Sequence, residues 1–150
     1  AWTPIRIDLV RVRQSSAARA PLMPAAPSAG AKTALTRRVL EVMNAWGVEP
    51  MAQGQLLGLP QKDAGRRFRR YRAGATLPDD PEVWKRVALL LRIENAANQL
   101  FPHSALSASL WVTTPNLRFG GTTPLQLMLD QGIEGIRRVE RALAEQGLLS

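Results

Sequence analysis

The chain has 150 residues, 45% of them hydrophobic, enough for one compact domain or two very small ones sharing a core and too few for a sizeable independent second domain. It has no cysteine, which rules out disulfides and thiolate metal sites and leaves nothing that asks for an oxidising compartment. Its formal charge of +8 is concentrated rather than spread, which favours a polyanion-binding element over a generally solubilised surface.

Two stretches hold that charge. Residues 1–34 carry Arg6, Arg11, Arg13, Arg19 and Lys32 against Asp8, and residues 61–72 carry Lys62, Arg66, Arg67, Arg69, Arg70 and Arg72 against Asp63. The remainder is nearly neutral. No run approaches the ~18 apolar residues of a membrane helix, and the start Ala1-Trp2-Thr3-Pro4 has no basic-then-apolar signal pattern, so a cytoplasmic location is expected.

In chain order, Ile5-Arg6-Ile7-Asp8-Leu9 alternates like a short strand, without a partner strand in the sequence. Addition to another chain's sheet edge and an unstructured arm are both compatible with it. Ala17 to Ala34 is rich in Ala, Pro, Ser and Gly, and Pro21, Pro24 and Pro27 forbid a regular helix there, so residues 1–34 read as an extended arm and linker. From Leu35 to Trp46, apolar residues recur at helical spacing up to Gly47. Met51 to Leu57 gives a short second helix ended by Gly58, and Leu59-Pro60 is expected to open a third that runs to Ala73-Gly74. Two short helices joined through Leu57-Gly58-Leu59-Pro60 have the length and turn glycine of a helix-turn-helix, placed at 35–78.

Asp80 as N-cap, Pro81 at the first helical position and Glu82 in the first turn announce a long connecting helix at 79–103, with Val83, Trp84, Val87, Leu90, Leu91, Ile93 and Leu100 facing inward. A helix over Ser104 to Val112 is expected to be built on Leu106, Leu110 and Trp111. Pro115-Asn116 and Gly120-Gly121 make an irregular connection, after which Thr123 caps and Pro124 opens a helix through Met128 and Leu129. The last helix, Glu134 to Gln146, presents Ile136, Val139 and Leu143 on one face. The fold class is therefore all-α, with a small C-terminal domain at 104–150.

On the third helix Ala64, Phe68 and Tyr71 or Arg72 share one face, so Phe68 anchors it and the basic residues point away. A helix-turn-helix puts the start of this helix in the major groove. Gln61, Lys62 and Arg66 are then candidates for base edges, with Arg67 and Arg70 on the flank and Arg69, Arg70 and Arg72 meeting phosphates. A solvated cationic helix and a helix that binds an acidic protein surface are the alternatives. Pro60 stands where Ser or Thr usually caps, which weakens the motif without breaking it.

Catalytic groups are scarce. His103 is the single histidine, beside Pro102 at a helix boundary, and reads as a cap or surface residue. Asp79-Asp80 before Pro81 reads as capping rather than as a carboxylate pair, and Gly120-Gly121-Thr122-Thr123 lacks the lysine and further glycine of a phosphate-binding loop. No enzyme, metal site or cofactor is expected. Trp46, Trp84 and Trp111 lie on apolar helix faces and read as core, leaving Trp2 for a partner.

Residues from about 35 to 150, some three quarters of the chain, resemble the Xre/MbcA/ParS antitoxins of RES-type toxin–antitoxin systems. The resemblance is carried by Leu56-Leu57-Gly58-Leu59 with the basic helix behind it, then Trp111, Thr114-Pro115-Asn116 and Gly120-Gly121-Thr122-Thr123-Pro124-Leu125, followed by two helices. It implies a toxin partner of the RES type that consumes NAD or transfers ADP-ribose, held inactive by coverage of its active site. It also implies a homodimer within a toxin–antitoxin hetero-oligomer that binds its own promoter DNA as a repressor. Carried onto this sequence, the toxin-facing surface is Asn116, Leu117, Arg118, Phe119, Gly120 and Gly121 with the tail Leu148, Leu149 and Ser150. Leu117, Phe119, Leu148 and Leu149 are apolar residues outside regular helix faces, as a partner-binding patch requires, although closing the domain's own core would use them equally well. A stand-alone helix-turn-helix regulator and a protein-only interaction module with a degenerate helix-turn-helix are the other readings.

Overall fold

The computed structural model describes residues 28–149. The expected N-terminal strand, Trp2 and Ser150 lie outside the described residues. Among the described residues there are six α-helices and one 3-10 turn, and no strand, in keeping with the all-α reading.

Helix α1, Ala29–Ala45, begins six residues earlier than the periodicity indicates. Pro27 is the last proline before it, and Ser28 caps the helix by accepting from the Ala31 amide, so the Ala-rich stretch that follows is free to coil. Its apolar positions are too small to show a stripe in the sequence. α2, Pro50–Leu57, follows with Pro50 at the first helical position. Between them Gln53 is buried, and its side-chain amide donates to Asn44 Oδ1 and to the Val48 carbonyl, both at 2.8 Å, which ties the α1–α2 turn shut.

The third helix corrects the sequence reading. α3 is Ala64–Arg72, and Gln61, Lys62 and Asp63 form the turn before it rather than its first turn. Asp63 has left-handed backbone, φ 58° and ψ 31°, a conformation Asp tolerates better than most residues and one that interrupts any helix begun at Pro60. The inner face is Ala64, Phe68 and Tyr71, all buried, while Arg72 is exposed. The Phe68 and Tyr71 rings meet edge to face at 5.2 Å between centroids.

α4, Pro81–Leu100, starts as expected: Asp80 Oδ1 accepts from the Glu82 amide at 3.0 Å. Asp79 does a different job from capping and pairs with Lys32 at the start of α1, whose ammonium also lies over the Trp84 ring. α5, Ala105–Thr113, is capped by Ser104 through the Ser107 amide. Here the expected inner face is corrected. Ala108 and Val112 are buried and Trp111 is half-buried, whereas Leu106 and Leu110 face outward.

α6, Pro124–Leu149, is capped by Thr123 through the Gln126 amide, as the sequence indicates. It is broken at Gly132, where φ 61° and ψ −138° lie outside the helical region, so the two helices read from the sequence are its halves. The second half, however, runs past Gln146 to Leu149 and takes Leu148 and Leu149, read from the sequence as lying outside a helix, into its last turn. Gly135 packs against the first half so closely that a Cβ there would collide with the Leu127 carbonyl oxygen.

One apolar core runs through all of this. It joins Val39, Met43, Leu56, Leu57 and Phe68 of the N-terminal helices to Val87, Leu90 and Ile93 of α4 and to Val112, Met128, Ile136 and Val139 of the C-terminal side. The long helix α4 is its spine, packed on α6, α5, α1 and α2. Trp46 and Trp84 are buried in it, as the apolar helix faces indicate.

Candidate functional site

Two surfaces stand out against this core. The first is the outer side of α3, where Arg66, Arg69, Arg70 and Arg72 are exposed and Arg67 is half-buried. Among the described residues none of these five arginines takes part in a salt bridge. Gln61 and Lys62 are also exposed, but they sit in the preceding turn. Burial of Tyr71 pushes its hydroxyl above the ordinary phenol value, although Arg67 and Arg70 pull the other way. Five guanidinium groups on a nine-residue helix, held by two inward aromatic rings, form a cationic ridge able to meet a polyanion.

The second surface is the connection between α5 and α6. Asn116 organises it. Its side-chain Oδ1 accepts from the Arg118 amide at 2.9 Å, its carbonyl accepts from the Phe119 and Gly121 amides, and its own amide donates to the Thr122 carbonyl. These bonds close residues 116–122 into a compact loop around the 3-10 turn Leu117–Phe119. Gly120 and Gly121 leave it with φ of 69° and 88°, the left-handed backbone that permits so tight a closure.

Within the loop the apolar residues have opposite fates. Phe119 is half-buried and meets the Trp111 ring edge to face at 6.5 Å. Leu117, one residue after the organising Asn116, is 93% exposed. The question of whether it closes the domain's own core is answered by that figure: it does not. Arg118 pairs with Glu145 on the last turns of α6, which ties the loop to the helix that carries Leu148, itself 87% exposed. The side chain of Leu149 lies outside the described residues.

A shallow cleft of about 230 Å³ lies beside the loop, lined by Phe101, Leu110, Trp111, Pro115 and Asn116 among others. Leu106 and Leu110 extend the apolar exposure along α5. The sequence reading missed these two because helical spacing alone does not say which of two apolar faces is inward. The signal was available in composition: Ala108 and Val112, four apart, fit a close helix contact better than two leucines.

Among the described residues no group of three or more His, Cys, Asp or Glu is placed to hold a metal ion, and His103 is an exposed turn residue. No helix of the described chain is long and apolar enough to cross a membrane.

Comparison with known proteins gave one family match. Residues 96–146 match the model of the antitoxin Xre/MbcA/ParS C-terminal toxin-binding domain, a span from the end of α4 to near the end of α6 that contains the whole Asn116 loop. No curated protein matched the chain. Residues 96–146 thus carry a C-terminal toxin-binding domain of the Xre/MbcA/ParS antitoxin type, which supports an antitoxin role with a toxin as partner.

Proposed function

We propose that this antitoxin binds a RES-domain toxin, one that consumes NAD or transfers ADP-ribose, and inhibits it by covering the active site with the Asn116–Gly121 loop and the end of α6 at Leu148. The observation that carries the reading is Leu117, presented at 93% exposure by a loop whose backbone is closed by its own hydrogen bonds. An apolar side chain held out on a rigid support loses little freedom on binding and gains its burial there. The chain supplies no catalytic group of its own in this reading; the chemistry belongs to the toxin.

The same reading assigns α3 to promoter DNA. Arg66, Arg67, Arg69, Arg70 and Arg72 meet the duplex as a cationic ridge, and Gln61 and Lys62 reach it from the turn rather than from the first helical turn. That geometry shifts the expected balance toward phosphate contacts, with fewer base edges read than a helix begun at Pro60 would allow. A homodimer within the toxin–antitoxin complex would supply paired half-sites.

The test is co-expression with the protein encoded by the neighbouring reading frame and purification through this chain alone. A stoichiometric complex with a RES-like protein, together with loss of its NAD-dependent activity in the complex, is the expected outcome. Recovery of this chain alone, with no protection from the neighbour, would defeat the proposal.

A further inference from the structure

A third surface is absorbed by neither assignment. Arg137, Glu140, Arg141 and Ala144 repeat at spacings of three and four on the second half of α6, and Arg92 and Ala96 do so on α4 beside them. Together they line an open groove of about 440 Å³ between the two helices. Its lining includes the two alanines, small enough for a main chain to approach. Its walls carry three guanidinium groups against one carboxylate. Glu140 stands 3.7 Å from Arg92, while Arg137 and Arg141 have no salt bridge among the described residues, and Arg137 lacks one although half-buried.

The groove does not end blindly. Continuing its spacing along α6 from Arg137 and Arg141 through Ala144 leads to Leu148 on the same helix face. A partner that covers Leu148 is therefore directed along α6 onto these two arginines. Guanidinium forks match carboxylates in a bidentate fashion, and the central Glu140 disfavours a run of phosphates that the uninterrupted arginines of α3 would accept.

We propose that the Arg92/Arg137/Arg141 groove docks an acidic segment of the toxin, as the charged flank of the apolar contact made by Leu117 and Leu148. The inference rests on the toxin-facing assignment of those two leucines and adds to it the sign of the partner's surface. Charged flanks of this kind govern encounter rate and partner choice, and their effect weakens with salt.

The test measures the affinity of the full-length chain for the purified toxin encoded beside it, across a range of salt concentrations. Arg137→Glu with Arg141→Glu should raise Kd by at least about tenfold and flatten its salt dependence. Arg138→Glu, a single charge reversal on the same helix outside the groove, should leave both nearly unchanged, whereas Arg137→Glu alone should not. If the reversed pair disturbs the helical signal, Arg137→Gln with Arg141→Gln should move affinity in the same direction. Unchanged affinity and salt dependence in the groove variants, with binding abolished by Leu117→Asp and Leu148→Asp, overturns the groove while leaving the apolar contact standing. Binding unaffected by both sets overturns the toxin-facing assignment and the groove with it. Loss of promoter binding with toxin affinity intact overturns the proposal in favour of a nucleic-acid site.

Discussion

Gln55 on α2 donates its side-chain amide to the backbone carbonyl of Leu129, 2.8 Å away in the first half of α6. The bond joins the N-terminal helices to the toxin-binding domain directly, just before the Gly132 break. Arg86 of α4 lies at the same junction, with its guanidinium against Gly58 and Gly132 and reaching the Leu56 carbonyl. Gln55→Ala should cost about 0.5–1 kcal/mol, the ordinary net value of an exposed hydrogen bond, and urea unfolding would read it. A variant as stable as the parent would show that this bond contributes nothing.

Gly135 should tolerate no side chain. Gly135→Ala forces the second half of α6 away from the Leu127 carbonyl, and thermal unfolding should show a loss of about 2–4 kcal/mol, the range of severe overpacking. Gly30→Ala, where a Cβ meets open space within α1, should be neutral or slightly stabilising. Equal effects at the two sites would contradict the packing described.

At Leu117 folding and binding should separate. Because the side chain is almost wholly exposed, Leu117→Asp is expected to leave the melting temperature within error. Its affinity for the toxin should fall by about 1–3 kcal/mol equivalent, as for an interface anchor, measurable by calorimetry. Unaltered toxin binding would remove this residue from the interface.

For the α3 ridge the informative quantity is a slope. Arg66→Ala with Arg69→Ala should weaken promoter binding and reduce the slope of log K against log salt by about 1 for each phosphate that is no longer engaged, with stability unchanged. Electrophoretic or fluorescence titration at several salt concentrations would check it. A parent slope near zero would argue that α3 meets something other than DNA.

How much of this was legible in the sequence can be judged element by element. The caps at Asp80, Ser104 and Thr123 are local chemistry, each a side chain bonded to an amide two or three residues on, and they can be read without knowing the fold. The start of α3 was not legible. The left-handed turn at Asp63 depends on where Phe68 and Tyr71 must land in the core, which is a tertiary demand on a segment whose own pattern permits an earlier start. The outward turn of Leu106 and Leu110 has the same origin, since α5 is short and apolar on more than one side. Of the binding surfaces, the α3 arginines announce themselves by density. The Arg137/Arg141 groove needs α4 beside it and is invisible in one dimension.

Alkaline pH should single out one residue. Tyr71 is the sole tyrosine, and burial raises its pKa in the folded state above the ordinary value of 10.0. The folded state therefore holds this proton more tightly than the unfolded one. Its contribution to stability is complete below pH 10.0 and is lost as pH rises from there through the raised folded-state value. Tyrosinate absorbance should appear at higher pH in the native protein than in urea, and Tyr71→Phe should show a shallower loss of stability above that pH. Coincident titrations in the two states would refute the burial argument.

A single core that serves both the arginine ridge and the Leu117 loop makes the two ends thermodynamic partners even without any change of shape. If the chain unfolds as one unit, toxin present at a hundred times its Kd adds about 2.7 kcal/mol to the cost of melting α3 as well as the loop that it touches. The ridge is then held folded by an event in the C-terminal domain. Occupancy of the C-terminal domain raises the free energy needed to unfold the N-terminal one.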